Sequence, residues 1–304
     1  MQDPAIGTSL RLGYLAAMGA VLIWSGFILV SRVGGISALS SFDVIAIRYV
    51  TCALLVLPVW FFRFRFNLFQ PKFIICSLIG GLGYALFTFN GFELTTASQA
   101  AVLLPGLMPV MVMLLATWLN RQKQSWNKWL GMTVISFGVG LLFWQEFQVT
   151  GDLSYGHLSL AGAAFCWTLF SVLVQRWQTT PWQATVSLAV ITCIIYLPFY
   201  VVFCESHISL SVWRDVALQS FYQGFLATIV QMMLYVRAVQ IIGAASMGTM
   251  MAMVPIISGV SALYLFDEPA TLALVVAMTL VSSGVWLCHS RYLSQLKNKQ
   301  VITD

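Results

Sequence analysis

Arg48, Glu93 and Arg237 are ionisable side chains set within or against long apolar stretches. A charge at the centre of a membrane-spanning helix costs at least about 2.5–3.5 kcal/mol, so such a residue faces a cavity or a partner rather than lipid. Arg48, five residues after Asp43, has two readings. Its guanidinium could hold a carboxylate or phosphate bidentately, or its long stem could carry the charge to the nearer interface. Glu93, in "FNGFELTTASQ", reads either as a solvated loop residue or as a protonatable gate. Arg237 reads as an interfacial anchor.

The uncharged candidates are more numerous. Gly224, Thr228, Gln231 and Tyr235 recur at i, i+4, i+7 and i+11, one polar stripe on an otherwise apolar helix. An amide at mid-membrane needs hydrogen-bond partners, which a substrate or a neighbouring helix supplies; cavity lining and helix–helix contact both stay open for the stripe. The stretch 73–92 adds Tyr84, Thr88 and Asn90. Trp24 and Trp167 sit mid-stretch, away from the headgroup belt where tryptophan collects, and each has an indole N–H to satisfy. Pro109 and Pro255 are expected to break i→i−4 bonds inside their spans, as hinges or as fixed kinks. The expected substrate-binding set is Trp24, Arg48, Tyr84, Thr88, Trp167, Thr228, Gln231 and Tyr235, with Glu93, Pro109 and Pro255 for coupling or gating.

No catalytic motif competes with that set. Walker, GxGxxG and HExxH patterns are absent, and His157, His207 and His289 are scattered at span ends. The glycines of "GGLG", 80–83, suit close helix approach rather than phosphate binding. The six cysteines lie in or beside apolar runs without CxxC spacing and read as buried free thiols. Neither a metal nor a cofactor is expected.

These residues need a scaffold that lipid can surround. Charged residues make up 8% of the chain, against about 25% in soluble domains, and mean hydropathy is +0.87. Runs long enough to cross a bilayer recur along the 304 residues. They read as ten spans at about 12–31, 42–62, 73–92, 97–119, 129–146, 157–176, 184–204, 217–239, 244–265 and 270–289. The runs are continuous rather than alternating, which favours helices over a barrel. The first follows Arg11 and is expected to stay as an uncleaved helix rather than serve as a signal peptide. Arg11, Arg63, Arg65, Lys72, Arg121, Lys123, Lys128, Arg176, Arg237, Arg291, Lys297 and Lys299 fall on one side, against Arg32 and Arg214 on the other. That bias puts both termini in the cytoplasm. The positive net charge of +5 is then a topology signal, not a nucleic-acid patch.

The chain also repeats itself. "AAFCWTLFSVLVQRW", 163–177, follows the cadence of "VLIWSGFILVSRVGG", 21–35. An offset of 143 places Gly162 on Gly19, Trp167 on Trp24 and Phe170 on Phe27, and slightly different offsets place Pro198 on Pro58 and Pro255 on Pro109. Two five-helix units, 1–147 and 151–290, would be followed by a cytoplasmic tail, 291–304. Because five is odd, the second unit enters the membrane from the opposite side, an inverted repeat with its site expected at mid-membrane.

These stretches, with "SFDVIAIRYVTCALLVLPV" and the region from "GFLATIVQMMLYVRAVQ" through "FDEPATLALVVAMTLVSSGVWL", resemble the drug/metabolite transporter superfamily, and within it the EamA-type ten-helix exporters. The resemblance covers about 11–290. The first half departs from it, with "NRQKQ" at 120–124 where the second half has the acidic turn "FDEP". It implies an all-α, multi-pass protein of the cell inner membrane that works by alternating access, as a monomer or homodimer. The implied cargo is a small metabolite such as an amino acid or a related amine or acid. Proton coupling would need a membrane carboxylate, for which Glu93, with Asp43 further out, is available; facilitated diffusion or exchange needs none. An intramembrane enzyme would need a nucleophile or metal cluster, and a scaffold or sensor a soluble partner-binding domain.

Overall fold

The computed structural model describes residues 4–63, 65–120, 125–150 and 154–301. Among them there are helices and loops and no strand. Ten helical segments follow in order: α1 (Pro4–Ile36), α2 (Ser41–Phe62), α3 (Pro71–Leu94), α4 (Ala97–Asn120), α5 (Trp126–Thr150), α6 (Tyr155–Arg176) and α7 (Pro181–Phe203). Next comes α8, built from Trp213–Gln219, Ser220–Val230 and Gln231–Met251 without interruption, then α9 (Val254–Leu265) and α10 (Leu272–Val301). By length and composition six of these are apolar enough to cross a membrane, and three shorter apolar stretches lie in α4, α9 and α10.

Local chemistry sets several helix starts. α2 opens with a capping box in which the Ser40 hydroxyl accepts from the Asp43 N–H and the Asp43 side chain accepts from the Ser40 N–H. α7 repeats the device with Thr180 and Gln183, adding Pro181 in its first turn, where a missing N–H costs nothing.

The halves interlock along their length. α1 packs on α8, α2 on α7 and α3 on α6, while α5 lies against α10 and α4 against α6 and α9. One large buried core runs through the molecule, and a smaller one joins α2 to α7 around Cys52, Val56, Val186 and Val190.

Two expectations are corrected. The chain does not break at 240–243: α8 runs on to Met251, because "IIGAA" supplies neither a proline nor a capping side chain there. The break falls at Ala252–Met253 instead, and Pro255 stands in the first turn of α9. It therefore breaks no i→i−4 bond inside a helix. Pro109, joined by Pro105, does lie inside α4. Beyond 290, the stretch expected as a tail, α10 continues to Val301; residues 302–304, like Arg121 and Lys123, lie outside the described residues.

Two helices carry wide, five-residue turns, α3 over Ser77–Gly83 and α8 over Ser220–Val230. Such segments cluster at functional positions. In α8 the wide turn re-aims the polar stripe, because spacings of four and seven share a face only in a regular α-helix. The Thr228 hydroxyl donates to the Gln223 carbonyl five residues back at 2.6 Å. Gly224 meets α2, where an added Cβ would lie 2.6 Å from Thr51 Cβ. Gly224→Val should therefore overpack this contact and lower stability by about 1–3 kcal/mol, read as a lower apparent Tm in detergent.

Candidate functional site

Where α1, α2, α3, α6 and α8 converge, a recess of about 30 Å3 is lined by Trp24, Phe27, Arg48, Tyr84, Trp167, Ala227 and Gln231. It continues into a chamber of about 260 Å3 that shares Trp24, Trp167 and Gln231 and adds Phe170, Tyr235 and others from α6, α7 and α8. Trp24 and Trp167 face each other across the halves at 6.3 Å between ring centroids. Tyr84 and Phe170 flank Trp167 at 4.9 and 5.3 Å. The recess is a polar point in an aromatic cage, and the chamber below it is largely apolar.

Arg48 supplies the charge. Its side chain does not reach an interface; it is buried, so the interfacial reading is overturned. Nη1 donates to Gln223 Oε1 at a long 3.4 Å, and Nε has no partner. Phe27, Tyr49 and Phe89 surround the guanidinium with ring centroids 5.5–5.9 Å away. Rings stabilise a cation without neutralising it. Asp43, the nearest carboxylate in sequence, is committed elsewhere, with His207 Nδ1 3.2 Å from its Oδ2. The recess thus presents a desolvated guanidinium with unused donors.

At one end of the bundle this site is sealed. Arg32 Nη1 donates to the carbonyls of Phe92 and Glu93 at 2.8 and 3.1 Å. Ser41 Oγ donates to Glu93 Oε2 at 2.5 Å. The fully buried Asp43 carboxylate accepts from Ser40, from the Tyr200 hydroxyl and from the His207 N–H, with His207 Nδ1 3.2 Å away. Gln219 and Gln223 of α8 donate to the Val30 carbonyl and to Ser31 Oγ of α1 at 2.9 and 3.0 Å. Glu268, from the acidic turn, receives the N–H groups of Ala97 and Ser98 at 2.7 and 2.9 Å and so caps α4. The turn "FDEP" in the second half thus completes a helix of the first. At the other end the chamber extends down to Thr179 and Pro181, in the connection between α6 and α7.

The sequence-derived candidates divide accordingly. Trp24, Arg48, Tyr84, Trp167, Gln231 and Tyr235 come together around the two spaces. Thr228 turns into its own helix, and Thr88 is buried and lines neither space. Glu93 is exposed at the sealed end, bonded to Ser41 and away from the recess. Asn90 accepts from Ser159 on the exposed surface. Arg237 is exposed beside the chamber. Phe27 and Phe170 were missed as lining residues, although their match across the repeat was a usable signal. Gln223, Tyr200 and His207 carried no signal, because their partners are more than 150 residues away in sequence. Among the described residues no group of three or more His, Cys, Asp or Glu could hold a metal ion.

An all-helical membrane bundle with a central recess between its halves is the form of a transporter, and comparison with known proteins names the family. The EamA-like transporter family matches twice, over residues 11–144 and 154–289. The chain belongs to that family, within the drug/metabolite transporter superfamily, and is a multi-pass membrane protein; members of the family are transporters rather than enzymes. No curated protein matches the sequence. A solved structure titled only "Crystal structure of protein" is similar over 94% of this chain and 99% of its own, with a TM-score of 0.60 and 18% identity. At that identity the likeness shows the fold alone.

The sealed end makes a ranked prediction. Asp43→Ala would leave the buried Tyr200 hydroxyl and the part-buried Ser40 donors without this acceptor, a cost of about 1–3 kcal/mol. His207→Ala removes a half-exposed partner and should cost no more than about 1 kcal/mol. Glu268→Ala should cost about 1 kcal/mol through the lost cap. Thermal unfolding of the three variants in one detergent checks the order.

Proposed function

We propose that the protein is an inner-membrane exporter of small metabolites carrying a carboxylate and an apolar portion, such as amino acids or related acids, working by alternating access between inverted five-helix repeats. The observation that carries this reading is the buried Arg48 guanidinium, which lacks a carboxylate partner and lines the recess with Trp24, Tyr84, Trp167 and Gln231. An anion bound there would replace the water this cation has lost, with charge-assisted hydrogen bonds. Gln231 offers an amide for a second polar group, and the chamber accepts the apolar remainder.

The arrangement of the ends supports a conformational assignment. With the termini in the cytoplasm, the sealed end faces outward and the chamber opens inward through the Thr179–Pro181 region. This is the state in which an exporter loads. Rocking one half against the other would break the Asp43–Tyr200, Gln219–Val30 and Gln223–Ser31 contacts and open the recess outward.

Transport into vesicles of carboxylate-bearing metabolites, set against amines, sugars and their uncharged amide analogues, tests the reading. Carboxylates should be transported and should raise the apparent Tm by mass action. Arg48→Gln should raise KM about 10–100-fold, the value of a hydrogen bond to a charged group. Arg48→Lys should fall between, because an ammonium keeps charge but not the bidentate fork. Transport of amide analogues as well as acids, or an unchanged KM in Arg48→Gln, would remove the carboxylate from the mechanism.

A further inference from the structure

The central chamber shares a wall with a second cleft. Pro181, Met232 and Val236 line both the chamber and a neighbouring cleft of about 310 Å3, whose further walls are Thr180, Trp182, Thr185, Ile229, Met233 and Arg237. The cleft separates the first turns of α7 from the middle of α8, two helices that touch only sparsely. It reaches the outer surface of the bundle, where Met233 is 59% exposed and Arg237 is exposed too. Its size is that of a small-ligand site.

The lining says what would fill it. Apart from Arg237 it is apolar or carries neutral hydroxyl and indole groups, and it contains no carboxylate. In a multi-pass membrane protein this surface meets the bilayer. An acyl chain leaving the bilayer for the cleft gains little from apolar contact alone, because lipid tails are as apolar as leucine. Selectivity therefore has to come from the charge at the mouth and from filling space that would otherwise be void. Arg237 lies six residues beyond Gln231, about 9 Å along α8, towards the end of the bundle where α7 begins. A cation at that depth attracts an anionic headgroup.

We propose that the α7–α8 cleft is a binding site for an anionic phospholipid, with one acyl chain lying between Trp182, Met232 and Met233 and the headgroup phosphate on Arg237. The bound chain packs against Pro181, Met232 and Val236, the residues that also wall the chamber.

The site is tested without a transported substrate, so its failure leaves the transport reading standing. Detergent-purified protein is titrated with dioleoyl phosphatidylglycerol or dioleoyl phosphatidylcholine, and the lipid retained longest is identified by native mass spectrometry. The wild type should retain phosphatidylglycerol about fivefold over phosphatidylcholine, the size of one basic residue's attraction to an anionic surface. Arg237→Gln should abolish the preference and Arg237→Lys should keep it. Met233→Trp, which fills the mouth, should lower retention of both lipids. Both positions are exposed, and gel filtration confirms that the variants stay folded. Equal retention of the two lipids by the wild type, or a preference that survives Arg237→Gln, would overturn the proposal. So would a dimer of this chain that excludes lipid and is broken by Met233→Trp.

Discussion

A guanidinium without a counter-ion in an apolar bundle is the constraint from which the rest of the site follows. Removing an ion from water costs several kcal/mol even after the protein relaxes, and Arg48 is buried with a single long bond to Gln223. Three aromatic rings return part of that cost. They also explain the aromatic character of the recess, since a ring tolerates a nearby cation without occupying its donors. Gln223 is held in turn by Ser31. The position of the charge therefore depends on α1, α2 and α8 together, and any movement between the halves alters its surroundings.

Much of this was legible in the sequence. Trp24 and Trp167 were singled out because the chain repeats them, and a residue repeated across an interface ends up beside its counterpart. Gln231 and Tyr235 were found by helical spacing, which holds in the regular part of α8. Thr228, expected to line the site, lies in the five-residue turns of Ser220–Val230, as does Gly224, which meets α2 as the helix-contact reading of the stripe allowed. Such turns leave no mark in residue type or period. The depth of Arg48 was ambiguous because a long side chain can point along its helix in either direction, and packing decides between them.

The sealed end was the least legible part. Asp43, Tyr200 and His207 meet because α2 lies along α7, and no local pattern announces a contact across 157 or 164 residues. The acidic turn is instructive in the same way. Its absence from the first half looked like a departure from the family, yet Glu268 serves the first half directly by capping α4. Pro255 shows the opposite error. Proline inside an apolar run reads as a kink, but here the run contains a helix end and the proline begins the next helix.

The cap on α4 also bears on how the protein is made. Ala97 and the Glu268 carboxylate that receives its N–H are separated by 171 residues. At roughly 5–20 residues per second of synthesis, the ribosome takes about 9–34 s to add those 171 residues. Once α4 has been made, its first N–H groups lack the Glu268 acceptor for most of that interval. The start of α4 is thus completed only by a residue of the last connection in the chain, between α9 and α10.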